Sequence, residues 1–420
     1  MTQMTLRRGW CPGALTPMAT GDGLLVRVRP RAGRYTLPQV QAIAYCANAF
    51  GNGEIDLTNR ANLQLRGLSV AKLASAIEEL AAAGLIDGNP EFEAIRNVIV
   101  SPLAGLALDE RPYELAVALE AALEADPGLA KLPGKFGFAI DSVTAPLPLG
   151  VRADVRLTID NGGVKIRIAG SGSLVAAVDQ RAAIAAALAL TWAFLGFRAR
   201  DSNIARMRDA VAASSATAVY ELAGLEPVIA LQGAVDSAPP VGLLGPSQAP
   251  LAIGIGLPYG RISGAVLAGI AALAARAGVS SIRPSHQRAL VFANVGTSYG
   301  ELMAAAAEAG LIVSASDPRL TMDVCPGAPA CARGSTPTRA DANIILAALE
   351  PSPNYRPSIH VSGCVKGCAR AGTAELTIVA REGRYDLIRD GRPGDTPVAC
   401  GLAIAELSSV IAQIAGGVRA

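Results

Sequence analysis

The chain has 420 residues, 51% of them hydrophobic and only 4% aromatic, a length beyond one ordinary core, so two or more domains are expected. With 37 basic residues against 35 acidic ones the formal charge is +2, which argues against nucleic acid or an anionic membrane as the main partner and leaves room for local basic clusters that take an acidic small molecule. Arg7 and Arg8 are not followed by an apolar signal core, and seven cysteines, an odd number, fit a reducing cytoplasm better than a secreted disulfide scaffold.

The first predicted elements are a strand, LLVRVRP at 24–30, and an amphipathic helix from 36 that ends at Gly51. A second strand, IDLTNRANLQLRGL, and a helix over 71–83 follow. Cys46 lies in the apolar pattern of the first helix and reads as a core thiol. RNVIVSP from Arg96, KLPGKFGFAID from Lys131 and VRLTIDNGG from Val155 come next, and each has a counterpart later in the chain. The Ala-rich stretch 182–197 is flanked by Asp179, Arg181, Arg198 and Arg200. It is short for a bilayer and reads as a buried helix. The Pro-rich stretch 236–250, DSAPPVGLLGPSQAP, reads as a linker.

Beyond that linker the chain repeats itself. Residues 263–282 align without gaps on residues 36–55 at an offset of 227. Val40 meets Leu267, Ile43 meets Ile270, Ala47 meets Ala274, Gly51 meets Gly278 and Ile55 meets Ile282. A strand (LAIGIGLP) precedes this helix, a strand (IRPSHQRALVFANV) follows it, and a further helix is expected over 300–308. MDVCPGAP then parallels RNVIVSP, YRPSIHVSGC parallels KLPGKFGFAID, and ELTIVAREG parallels VRLTIDNGG. Each copy starts as a β-α-β-type unit, an open ferredoxin-like half-sheet. The expected organisation is a first half-domain over 1–90, a domain without a cluster over 91–235, the linker 236–250, a second half-domain over 251–320 and a cluster domain over 321–420. Cys400 is expected to begin the last helix. A duplicated scaffold of this kind suggests a ligand between the copies, near a pseudo-twofold axis.

Four cysteines in the second copy have no counterpart in the first. Cys325 and Cys331 form C-x5-C in CPGAPAC, and Cys364 and Cys368 form C-x3-C in GCVKGC. A cubane iron–sulfur cluster needs four thiolates converging from short, bendable backbone. Pro326, Gly327, Pro329, Gly363 and Gly367 supply such backbone and can aim N–H groups at sulfur. Zinc and disulfides are the competing readings. Structural zinc favours tighter C-x2-C knuckles, and nothing else in the chain looks secreted, so the spacing favours a cluster.

The duplicated unit with these two cysteine pairs resembles the nitrite and sulfite reductase family over nearly the whole chain. RGWCPGALTPMATGDGLLVRVRP, at 8–30, is similar to the cobalamin-pathway branch of that family, the precorrin-3B synthases, which hydroxylate a tetrapyrrole. The resemblance implies an α+β fold: duplicated ferredoxin-like half-domains plus two homologous sulfite-reductase-type α/β domains around a pseudo-twofold axis. It implies that Cys325, Cys331, Cys364 and Cys368 hold a 4Fe–4S cluster, with Cys368 as the thiolate that bridges to siroheme in the reductases. Arg60, Arg96 and Lys135 match substrate-site cations of the family, and Gly137 replaces a second lysine used on small oxyanions. Arg288 takes the corresponding place in the second copy. A mononuclear non-haem iron is also implied, for which a 2-His-1-carboxylate triad would have to use both histidines, His286 and His360. Cys11 is a further candidate ligand or site-lining residue.

The residues themselves fit a substrate rich in acetate and propionate groups, since arginine binds carboxylates in a planar, bidentate manner. Solvated surface charge is the better reading for Arg66 and Lys131. No G-x-G-x-x-G opens a helix after a strand, so electrons are expected from an external reductase or ferredoxin, with NADH as the indirect source. The implied reaction is O2-dependent hydroxylation of precorrin-3A at C20 with lactone formation, without nucleic-acid or membrane partners. A siroheme-dependent sulfite or nitrite reductase is the rival reading, and an electron carrier or degenerate scaffold a third.

Overall fold

The computed structural model describes residues 12–106, 109–148, 150–230, 238–245, 250–296 and 299–417. Cys11 and residues 8–10 of the N-terminal motif lie outside these residues.

The first copy runs β1 (Met18–Thr20), β2 (Gly23–Val28), α1 (Leu37–Phe50), β3 (Glu54–Leu57), β4 (Leu63–Leu68) and α2 (Val70–Ala82). Thr36 starts α1 with a capping box closed by Gln39, which satisfies two N–H groups that the first turn leaves without partners. The stretch expected as one long strand is a hairpin. Thr58 N–H donates to Asn62 O at 2.9 Å, the Thr58 hydroxyl accepts from the Arg60 and Asn62 amides, and Ala61 takes a left-handed φ of 55°. A short side chain that bonds its own backbone two residues on is a turn signal, and here it breaks the strand in two.

An α/β domain follows: α3 (Pro90–Ile95), β5 (Val98–Val100), α4 (Arg111–Ala125), β6 (Phe138–Ser142), β7 (Val155–Asp160), β8 (Gly163–Ile168), β9 (Leu174–Val178), α5 (Ala183–Arg200), α6 (Met207–Ala213), α7 (Ala216–Leu222) and β10 (Pro227–Ile229). Strands β5, β6 and β7 are parallel, and β7–β8–β9–β10 antiparallel. α5 is long and apolar enough to cross a membrane by length and composition, but Ala183, Ala187, Leu190 and Phe194 pack into the core of this domain.

The second copy has β11 (Gly242–Leu244), β12 (Ala252–Gly256), β13 (Arg261–Ser263), α8 (Gly264–Arg276), β14 (Ser281–Pro284), β15 (Ala289–Ala293) and α9 (Tyr299–Glu308). β11 lies inside the stretch expected as a linker and pairs with β12. The C-terminal domain has β16 (Met322–Val324), α10 (Thr338–Leu349), β17 (Ile359–Ser362), β18 (Ala374–Arg381), β19 (Arg384–Gly391), β20 (Ala399–Leu402) and α11 (Ile404–Ala415). Cys400 therefore sits in an exposed edge strand and not at a helix start. The parallel strands β16, β17 and β18 and the antiparallel pairs after them repeat the order of the first α/β domain.

The two copies complete each other. β13 of the second copy pairs with β3 of the first through Ile262 and Ile55, while Tyr35 bridges Ile282. Both pairs relate by the 227-residue offset found in the sequence. Val40, Ile43 and Ala47 of α1 and Leu267, Ile270 and Ala274 of α8 share one core cluster. The repeat is thus a reciprocal exchange about a pseudo-twofold axis, with one continuous core beneath it.

Candidate functional site

The two cysteine pairs lie in the loops that follow the parallel strands β16 and β17, so the sheet itself brings them together. Four features place the thiols. Cys325 is buried and its amide bonds Val361 O across the strands at 3.1 Å. Gly363 N–H donates to Cys325 Sγ at 3.0 Å. Thr338, at the start of α10, donates to Cys325 O at 2.7 Å. A Cβ on Gly363 would stand 3.3 Å from Gly327 Cα and Gly334 Cα, so three glycines let the two loops close on one another. All four thiols are free. Burial raises the Cys368 pKa, Lys366 opposes this, and charge on Cys364, Cys325 and Cys331 raises it further. Cys368 thus lies within electrostatic reach of the other three thiols. Among the described residues no three His, Cys, Asp or Glu side chains gather closely enough for a single metal ion. Four free thiols on two glycine-closed loops, with the Gly363 amide aimed at the Cys325 sulfur, fit the ligand set of a cluster better than that of a single zinc ion.

The same finding bears on the two histidines. His286 lies in the turn after β14, and burial together with the charge of Arg156 pushes it down to about 4. His360 lies in β17, also pushed down to about 4, by burial and by Arg288 and Arg370 against the pull of Asp323. They face different domains, and the described residues offer no ready triad for a mononuclear iron.

A second region forms where the first copy meets the first α/β domain. Arg60, in the β3–β4 turn, donates to Lys135 O at 3.1 Å. It lines a narrow cleft with Asn62, Asn97, Gly137 and Arg152. A Cβ on Gly137 would lie 3.1 Å from Asn97 O, so a longer side chain is disfavoured at the place of the family's second lysine. Lys135 is exposed at the mouth. Arg152 joins this cleft to a larger cavity of about 470 Å³ that also has Arg156, Arg167, Arg206 and Arg208 in its walls. Burial lowers the Arg152 pKa, and Arg206, Arg60 and Arg208 lower it further. Asp154 is the one carboxylate in the wall, and it is tied to Arg206 at 2.8 Å and to the Gly137 amide at 3.0 Å. Such a concentration of like charge favours an anionic ligand.

Sequence comparison decides the family. Residues 16–83 match the nitrite/sulfite reductase ferredoxin-like half domain. A precorrin-3B synthase from Sinorhizobium is 32% identical over 98% of this chain and 90% of its own length. The chain belongs to the precorrin-3B synthase family. A ferredoxin sulfite reductase of Mycobacterium tuberculosis is 23% identical over 88% of the chain and 71% of its own length. In structure, NirA of Mycobacterium tuberculosis covers 93% of the chain and 80% of its own length, with a TM-score of 0.76 and 21% identity, a likeness of fold.

Within this precorrin-3B synthase family member, three arginines do not sit where the sequence places them. Arg96 is 2% exposed. Its Nε and Nη2 bond Asp87 at 3.0 Å, and Nη1 bonds Pro30 O at 2.8 Å and faces Glu120 at 3.4 Å. Every nitrogen is used inside the protein, so none is offered to a crevice. Arg288 takes a left-handed φ of 61° and reaches Asp323 at 3.1 Å and the carbonyls of Met322 and Ala369, away from the Arg60 cleft. It braces the second cysteine loop. Arg66 is not a solvated surface charge: it is buried between Asp22 and Asp56 and donates to Ala330 O, inside the first cysteine loop, at 2.6 Å. Lys131 is exposed, as expected. The sequence reading did not find Arg152, Arg206 and Arg208, which lie some fifty residues apart along the chain. Arg156 and Arg167 were within reach: they flank the Asn161–Gly162 turn symmetrically and pair directly across β7 and β8.

Proposed function

We propose that this protein converts precorrin-3A to precorrin-3B in the cytoplasm. It would use O2 to hydroxylate C20, with the ring A acetate closing a lactone. One oxygen atom enters the macrocycle and the other leaves as water, with two electrons from an external reductase or ferredoxin that draws ultimately on NADH. The observation that carries this reading is the arginine-lined crevice that meets at Arg152. A macrocycle with many carboxylates needs cations spread over a wide wall; siroheme would need them as well, so the neutral Gly137 is what favours this reading over reduction of a small oxyanion.

Arg60, Lys135 and Arg152 would bind substrate carboxylates and orient the ring. Arg206, itself fixed by Asp154, would close the far wall. The neutral Gly137 leaves room against Asn97 and removes a proton donor that would favour reduction of sulfite or nitrite. Cys325, Cys331, Cys364 and Cys368 would hold the 4Fe–4S cluster, which supplies one-electron transfer when bound. For a separate mononuclear iron the described residues give no ligand set, and no step is assigned to it.

The test is mass spectrometry of the tetrapyrrole after anaerobic loading and exposure to 18O2. One labelled atom in the product is the expected result. Label-free product, or vigorous sulfite turnover with a strong artificial donor and intense siroheme bands, would return the protein to the reductases.

A further inference from the structure

His360 sits in β17 between Ile359 and Val361, which point into the core beneath α10 and α11. Alternation along the strand turns His360 to the opposite face. There it is 0% exposed, and neither Nδ1 nor Nε2 has a hydrogen-bond partner. A buried polar atom without a partner is costly, and a ring with two is rarely kept.

The polar neighbours in register make their bonds to other partners. Asp323, in register on β16, is held by Arg288 at 3.1 Å and Arg370 at 2.9 Å. Thr377, in register on β18, donates its hydroxyl to Gly391 O at 2.8 Å. The ring lies beside the second cysteine loop. A Cβ on Gly367, the residue before Cys368, would lie 3.4 Å from His360 Cε1, the carbon between the two nitrogens.

We propose that one ring nitrogen of His360 donates a hydrogen bond to the sulfur framework of the cluster held by Cys325, Cys331, Cys364 and Cys368, and so sets its reduction potential. The proposal rests on the cluster assignment made above. Hydrogen bonds to cluster sulfur stabilise the more negative, reduced form and raise the potential. His360 is then a positioning residue, absent from the reacting atoms.

The experiment uses the full-length chain with its cluster reconstituted anaerobically. Midpoint potentials are read by EPR-monitored redox titration in the parent, in His360→Leu and in His360→Gln. Leu should lower the potential at an unchanged ratio of iron to sulfide, and Gln, which keeps an N–H, should stay near the parent. A Leu variant with the parent's potential overturns the proposal, as does one that loses a single iron while the cluster signal stays whole. A further measurement does not depend on His360 variants loading. The chain has two histidines, so in His286→Gln only His360 remains. With 15N-histidine in that protein, pulsed EPR of the reduced cluster should show coupling to one labelled nitrogen; no coupling beside a full cluster signal overturns the proposal. A parent without any cluster signal would instead count against the cluster itself.

Discussion

The guanidinium of Arg96 lies between Asp87 and Glu120, 2% exposed, while that of Arg152 faces Arg60, Arg206 and Arg208 across a cavity. Removing one member of a buried ion pair leaves its partner's charge stranded, so Arg96→Met should destabilise the fold by about 3–5 kcal/mol. Arg152→Ala should leave stability unchanged or slightly higher, because it relieves like-charge repulsion. It should weaken macrocycle binding by about 1.5–3 kcal/mol, the range for hydrogen bonds to charged groups. Urea unfolding beside a tetrapyrrole titration separates the two, and parent-like binding by the Arg152 variant would move the crevice elsewhere. His286 gives a pH test. Its folded pKa, about 4, lies below the unfolded value near 6.5, so the unfolded chain takes up the proton first. Its contribution is whole above roughly pH 6.5, declines as pH falls towards 4 and then levels, at most about 3 kcal/mol in all. His360 acts in the same sense, so His286→Gln should flatten only part of the slope measured between pH 4.5 and 7.

At the scale of the element, the cysteine loops are closed by glycine contacts as much as by cysteines. Gly327 has φ of 63°, and a Cβ there would overlap the Thr338 hydroxyl and stand 2.7 Å from Thr336 O. Both the left-handed backbone and the close approach need glycine. Gly327→Ala should therefore prevent the first loop from closing and abolish cluster loading. Gly394→Ala, where a Cβ meets nothing within 4 Å, should load normally. The readout is iron and sulfide content with the EPR signal of the reduced protein. Cys325→Ala should lose that signal and Cys46→Ala keep it, because Cys46 is a core thiol whose sulfur faces Ala76 O.

In the whole molecule, the halves are joined by charges at equivalent places. Asp56 on β3 and Arg283 on β14 are related by the repeat, and each reaches into the other half. Asp56 holds Arg261 at 2.8 Å and Arg339 at 2.9 Å, while Arg283 donates to the carbonyls of Pro102 and Ala104. Burial would raise the Asp56 pKa, but Arg339, Arg261 and Arg66 outweigh it and the net shift is downward. A depressed carboxylate stabilises the fold above its unfolded value of about 3.9, and that contribution is lost as pH falls through the folded value. Acid unfolding below about pH 4 should therefore begin with separation of the halves. Asp56→Asn should remove that step and cost about 3–5 kcal/mol at neutral pH. Because Arg66 also holds Ala330 O, the same variant should reduce cluster retention, which iron release during dialysis would show.

The repeat, its 227-residue offset and the two cysteine pairs could be read from the chain, because core spacing and turn-bound thiols are local patterns. Helices α1, α2, α5, α8 and α9 followed from the same periodicity, and Cys46 in the core did too. The hairpin at 58–62 was missed because its turn has no Gly-Asn or Pro-Gly signal, only a threonine that bonds its own backbone. The fates of Arg66, Arg96 and Arg288 were not legible, since an arginine's role is set by whichever carboxylate the folding brings to it. Asp87 and Asp56, both in the first half-domain, meet Arg96 and Arg66 across turns, and Asp323 meets Arg288 from the C-terminal domain. The cationic cavity has the same origin: Arg152, Arg167 and Arg206 meet only because strand β8 and the start of α6 are folded onto the loop that carries Arg152. The sequence by itself thus determined the scaffold and the two cysteine pairs, which depend on short-range spacing. Which cations line the crevice and which are buried as braces was decided by tertiary structure, because Ala330 beside Arg66, Glu120 beside Arg96 and Asp323 beside Arg288 come from elements that only the folded chain brings there.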